Sequence, residues 1–134
     1  MTKRALLPPG WARPRGYAHG VAARGSVVSV AGQIGTDVRG ELVSDDLVAQ
    51  VRQALMNIVA VLVAGGARPR HLVRLTWYLL DRDEYVARRH EVGAVFREVI
   101  GDYDIAMSAV QVSGLVEPGS QVEIEATAVV PEGS

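Results

Sequence analysis

Between Ser44 and Gly66 the apolar residues Leu47, Val51, Leu55, Ile58 and Leu62 recur at three- and four-residue spacings, and a few residues later the period changes to two. In "HLVRLTWYLL", Val73, Leu75, Trp77 and Leu79 alternate with Leu72, Arg74, Thr76 and Tyr78. A one-faced helix followed directly by a strand with substantial burial requires the helix to lie against a sheet. Ser44 is the expected N-cap, with Asp45 and Asp46 at the positive end of the helix dipole, and Gly65 and Gly66 stop the helix.

Asp81 and Glu84 have the spacing of a capping box and open a second expected helix that ends near Gly101, with Tyr85, Val92, Val95, Phe96 and Val99 as its stripe. Upstream, "YAHGVAA" and "SVVSVAGQI" are β-branched runs separated by Arg24 and Gly25, which predicts a hairpin. Downstream, strands are predicted from about Met107 to Ser113 and from Gln121 to Val130, joined by "GLVEPG". Residues 1–15 hold three of the six prolines and are expected to lie on the surface as an arm. The result is one α+β domain over 1–134 with the order ββαβαββ. Two helices cannot cover both faces of such a sheet, so they are expected on one face. The other face then needs a partner, which predicts a homo-oligomer with ligand clefts between subunits.

Composition narrows the chemistry. Hydrophobic residues make up 49% of the 134, enough for a core, and the formal charge of −1 offers no broad basic surface for nucleic acid. Without cysteine there are no disulfides, thiolate nucleophiles or Cys-ligated metals, which leaves carboxylate, imidazole, hydroxyl and guanidinium groups. No uninterrupted apolar run approaches the ~18 residues of a membrane span, and a cytoplasmic protein with no membrane partner is expected.

Several residues invite a chemical reading. "HEVGA" begins like a zinc-protease helix, but Ala94 stands where the second histidine belongs, so no metal site is expected. The glycines of "AGQIGTD" lack the partners of a phosphate loop and suit a bulge or a close backbone approach. Arg88 and Arg89 flank the stripe of the second helix. Each either extends its stem over the core edge or reaches a cleft to hold a carboxylate. Glu123, alternating with Val122 and Ile124 near Glu125, is either a solvated strand residue or a general base. Tyr17 and His19, two apart on the expected first strand, share a face and offer polar groups, whereas His71 marks only a turn after Pro69.

In order along the chain, "RGYAHGV", "VSVAGQIG", "VAQVRQALMNIVAVLVAGGA", "LVRLTWYLLD" and "VEIEATAV" resemble the RidA/YjgF family of imine and enamine deaminases, from about Gly16 to Val130. The resemblance implies a chorismate-mutase-like α+β fold assembled as a homotrimer with three intersubunit clefts. It also implies hydrolysis of small imines and enamines to keto acids and ammonia, with no metal or organic cofactor. By the same resemblance Glu123 positions the water, Tyr17 is a cleft tyrosine, and Gly32 belongs to the strand-end loop. Ala109 stands where the family often has a cysteine whose backbone helps to place the water.

One position departs from the pattern. The family's carboxylate-holding arginine lies in a Pro-Ala-Arg-Ser type sequence, matched here by Ile105, Ala106, Met107 and Ser108. Methionine makes the pocket floor apolar and soft where a cation is expected. Arg89 matches a position that is often Asn in the family, so the cation is expected to have moved to Arg89 or Arg88. Three readings stay open: a deaminase for a less conventional imine, enamine or related amine; a non-catalytic trimer that binds a metabolite or protein; and a cleft recruited to a different reaction.

Overall fold

The computed structural model describes residues 3–133. Its strands are β1 (Lys3–Leu6), β2 (Gly20–Ala23), β3 (Ser26–Gln33), β4 (Leu72–Leu79), β5 (Ala106–Gln111) and β6 (Val122–Val130). Its helices are α1 (Leu47–Ala64), α2 (Arg82–Ala87) and α3 (Arg89–Val99), and a 3-10 turn at Pro69–His71 precedes β4. The architecture is α+β, as the sequence predicts. β3, β6, β4 and β5 form one sheet in that order, antiparallel except for the parallel pair β4–β5.

Both helical segments lie on one face of this sheet. From α1, Leu55, Ile58 and Leu62 are fully buried, and they share a core with Leu75, Ile105 and Ile124. Each such side chain contributes about 1.5–3 kcal/mol relative to exposure. On α3, Val92 and Val95 are buried, and the Phe96 ring stands 6.1 Å from that of Trp77 on β4. The opposite face of the sheet carries Tyr78, Glu123, Glu125 and Thr127, with Val27 and Val110 exposed beside them.

Four local expectations are corrected. β2 and β3 do not form a hairpin: β2 pairs with β1, which lies inside the segment expected to be an arm, and β3 pairs with β6. The β-branched run of β3 finds a longer partner in β6, and Arg24 and Gly25 carry the chain from one sheet to the other. Gly25 has φ +148°, and a Cβ there would overlap the Val130 carbonyl oxygen, with the carbonyl carbon 2.7 Å away. The N-cap of α1 is Asp46, whose carboxylate accepts the Ala49 N–H bond at 3.0 Å, while Ser44 Oγ accepts from the Asp46 N–H. The second helix is interrupted at Arg88 (φ −107°, ψ 19°), giving α2 and α3. Finally, Leu72 is fully buried, because a register irregularity between Leu72 and Arg74 turns it onto the helix face.

Candidate functional site

The site is built where edge strand β5 faces α3. A bridge between Ala18 and Ala106, with the Ala18 N–H bonded to the Ile105 carbonyl at 2.9 Å, fixes the segment before β2 against β5. Tyr17 therefore lies in a bend beside β5 rather than on a strand with His19 as expected. Strand pleat does the rest. Met107 and Ala109 are register partners of Leu75 and Trp77, so they face the helices, not the open side.

These residues enclose a cavity of about 580 Å³, within the ~300–1,000 Å³ usual for small-molecule sites. Met107, Ala109 and Trp77 lie toward the sheet, and Tyr85, Val92 and Phe96 come from the helices. Tyr17 and Tyr103, both partly exposed to solvent, also line it. The chain has two Trp, four Tyr and one Phe, and five of these seven aromatic residues line this one cavity. Burial pushes the Tyr85 hydroxyl pKa above its ordinary value, with Arg89 opposing the shift, so Tyr85 is a neutral phenol.

Arg15, Arg89 and Arg97 also border the cavity. Arg88, the other candidate cation, does not. Its guanidinium donates to Asp46 Oδ1 at 2.5 Å and to Glu91 Oε2 at 2.9 Å, with Glu84 a further 3.8 Å neighbour. Among the described residues no salt bridge engages Arg15, Arg89 or Arg97.

Glu123 is elsewhere in the chain's own frame. It pairs in register with Tyr78, and both point to the open sheet face. The strand order puts β4 between β6 and β5, so Glu123 is two strand spacings, about 10 Å, from the cavity strand and on the opposite face. Gly32 is packed against it: a Cβ at Gly32 would overlap Glu123 Oε2 and stand 2.7 Å from Cδ. Glu125, two residues on, is already engaged by the Tyr78 hydroxyl, which donates to its Oε1 at 2.6 Å. Glu123 has no hydrogen-bond donor among the described residues, so of the two carboxylates it is the one available to a water molecule.

The candidate residues thus divide. The cavity gathers Tyr17, Arg89, Met107 and Ala109, the open face gathers Gly32 and Glu123, and Arg88 belongs to neither. His19 is outside the main cavity, its ring edge-on to Trp11 and Tyr17 at 4.9 and 5.7 Å, where it borders a separate hollow of about 110 Å³. His71 is buried, with Nδ1 accepting the Arg68 N–H bond at 3.0 Å. The sequence reading missed Arg97 and treated Tyr85 and Phe96 only as core. Arg89, Gly93 and Arg97 at intervals of four, with a glycine inside a helix, are the signal that would have found the third side of the cavity.

Residues 11–130 match the profile of the family described as endoribonuclease L-PSP. A RutC family protein of Pyrococcus horikoshii is 35% identical over 113 residues, 84% of this chain and 85% of that protein. The 2-iminobutanoate/2-iminopropanoate deaminase of Salmonella typhimurium is 34% identical over 113 residues, 84% of this chain and 86% of that protein. Among solved structures, the Rid-family protein YyfB of Yersinia pestis, of unknown function, superposes with a TM-score of 0.85 at 32% identity, covering 97% of this chain and all of the other.

Proposed function

The chain belongs to the RidA/YjgF family, which the endoribonuclease L-PSP profile describes, and from that premise we propose that it is a hydrolytic deaminase of imines or enamines. In this reading water adds to the C=N carbon, the resulting amino alcohol collapses, and a carbonyl compound and ammonia leave. One carboxylate suffices as the proton relay: Glu123 takes a proton from the attacking water and returns it to the departing nitrogen. Tyr17 positions the substrate nitrogen, Ala109 contributes backbone groups, and no metal or organic cofactor is required.

Glu123 and the cavity can act on one molecule only if a second copy of the chain brings its open sheet face to the cavity mouth. The proposed assembly is a homotrimer, which also covers Val27 and Val110. A net charge of −1 supports a small-molecule substrate over a nucleic acid, and the proposed setting is the cytoplasm.

The single observation that carries this reading is the position of the cations. Residue 107 is an uncharged Met on the cavity floor, yet Arg89 borders the same cavity without a carboxylate partner among the described residues. The substrate anion is anchored from α3 instead of β5, which suits an imine other than the small 2-aminoacrylate type. The test is ammonia release from enzymatically generated 2-aminoacrylate and from bulkier imines, comparing the wild type with Met107→Arg and Glu123→Gln. Turnover of a bulkier imine that Glu123→Gln lowers by about a hundredfold or more supports the proposal. Saturable binding with no ammonia from any imine overturns it in favour of a non-catalytic binding protein.

A further inference from the structure

The mid-helix glycine of α3 has a use. Arg89, Gly93 and Arg97 advance by four residues each, so they form a stripe along one side of the helix that faces the cavity. Glycine is the least favourable residue after proline for a helix interior. A Cβ at Gly93 would meet Arg97 Nη1 at 3.4 Å, so the Arg97 guanidinium lies back along the helix over position 93, toward Arg89. The two arginines share one shelf, and neither has a salt-bridge partner among the described residues. Other arginines nearby are taken: Arg88 by Asp46 and Glu91, and Arg52 by Glu98.

Beneath the shelf the wall is aromatic. The Trp77 ring lies 6.1 Å from both Tyr85 and Phe96, tilted by 58° and 39°. Met107 stands on the floor among them, and a thioether is a favourable neighbour for a ring and a poor one for a carboxylate. The cavity is larger than a three-carbon acid fills.

We infer that the cavity selects aromatic carboxylates, with a planar ring among Trp77, Tyr85, Phe96 and Met107 and the anion held by Arg89 and Arg97 across Gly93. Resting on the deaminase reading for its chemistry, this makes the substrate the imine of an aromatic α-amino acid. The binding itself needs no turnover. Met107 and Arg97 then serve one arrangement: the ring lies on the floor and the carboxylate on the shelf.

The test is calorimetric titration of the wild type with 3-phenylpropanoate, with propanoate, which lacks the ring, and with 3-phenylpropanamide, which lacks the charge. The expected result is that 3-phenylpropanoate binds about tenfold or more tighter than either. Arg89→Met and Arg97→Met should each remove its advantage over the amide. Equal affinity for propanoate or for the amide, no binding of 3-phenylpropanoate, or indifference to both substitutions would overturn the inference. Because the ligand series is read on the wild type, it stands even if a variant folds poorly. The two proposals fail separately. Selective 3-phenylpropanoate binding with no ammonia from any imine, that of phenylalanine included, removes the deaminase reading and keeps the ligand class. Ammonia release from 2-aminoacrylate with no preference for a ring does the reverse.

Discussion

The Arg88 guanidinium meets the Asp46 carboxylate at 2.5 Å, joining the first turn of α1 to the interruption between α2 and α3. Asp46 does two things at once: Oδ2 caps α1 through the Ala49 N–H, and Oδ1 accepts from Arg88. Arg88 is thereby drawn away from the cavity, and its neighbour Arg89, the first residue of α3, is left to face it.

Two substitutions separate the roles of Asp46. Asp46→Asn keeps a good N-cap and loses the ion pair, which at this exposure is worth less than about 1 kcal/mol. Asp46→Ala loses both and should cost about 1–2 kcal/mol in urea unfolding. The hydrogen bond from Arg88 holds the Asp46 and Glu91 carboxyls below their ordinary values. Their folded-state pKa values lie below the unfolded ones, so this stabilisation is complete above about pH 4 and is lost as pH falls further. Asp46→Asn should therefore flatten the acid side of the stability profile, and an unchanged profile would mean that the pair contributes nothing.

Gly32→Ala tests whether Glu123 must keep its place. The new methyl would overlap Oε2 and lie 2.8 Å from Cγ, so the Glu123 side chain has to move from Cγ outward while no backbone atom is among its nearest contacts. The fold should survive, with circular dichroism and melting temperature near those of the wild type. Turnover of the imine should fall by about a hundredfold, the usual scale for misplacing a catalytic group by an ångström. Full activity in Gly32→Ala would remove Glu123 from the reaction.

How far the sequence could be read depended on whether neighbours or distant strands decide a feature. The stripe of α1 and the alternation of β4 are local, and both were legible from period alone. The partner of β3 was not, because "SVVSVAGQI" pairs equally well with any apolar strand and the choice of β6 is made about a hundred residues away. The site followed the same division. Tyr17, Met107, Ala109 and Glu123 could be named from the family pattern, but Arg88 and Arg89 are adjacent and flank the same stripe. Only the position of Asp46 across the helix pair decides which one faces the cavity.

His71 gives the chain a second pH dependence, closer to neutrality. Burial, followed by Arg70, Arg68 and Lys3, pushes its pKa below the ordinary 6.5, and neutral Nδ1 is needed to accept the Arg68 N–H. The unfolded chain then binds the proton more readily. Stability should fall as pH drops below about 6.5 and stop falling once the folded-state pKa is passed. Urea midpoints at pH 7.5 and 5 measure this, and His71→Gln should remove the difference between them.

Gly93 offers a choice between helix stability and space for Arg97, and two side chains divide the effects. Gly93→Ala adds a methyl that only touches the guanidinium at 3.4 Å, and Ala is favoured over Gly inside a helix by about 1 kcal/mol. The variant should melt higher and lose little affinity for 3-phenylpropanoate. Gly93→Leu fills the shelf and displaces Arg97, so its affinity should fall to that of Arg97→Met, and combining the two changes should cost no more than either alone. If Gly93→Leu binds like the wild type, Arg97 does not lie over the cavity when the anion is held, and Arg89 is its sole anchor on α3.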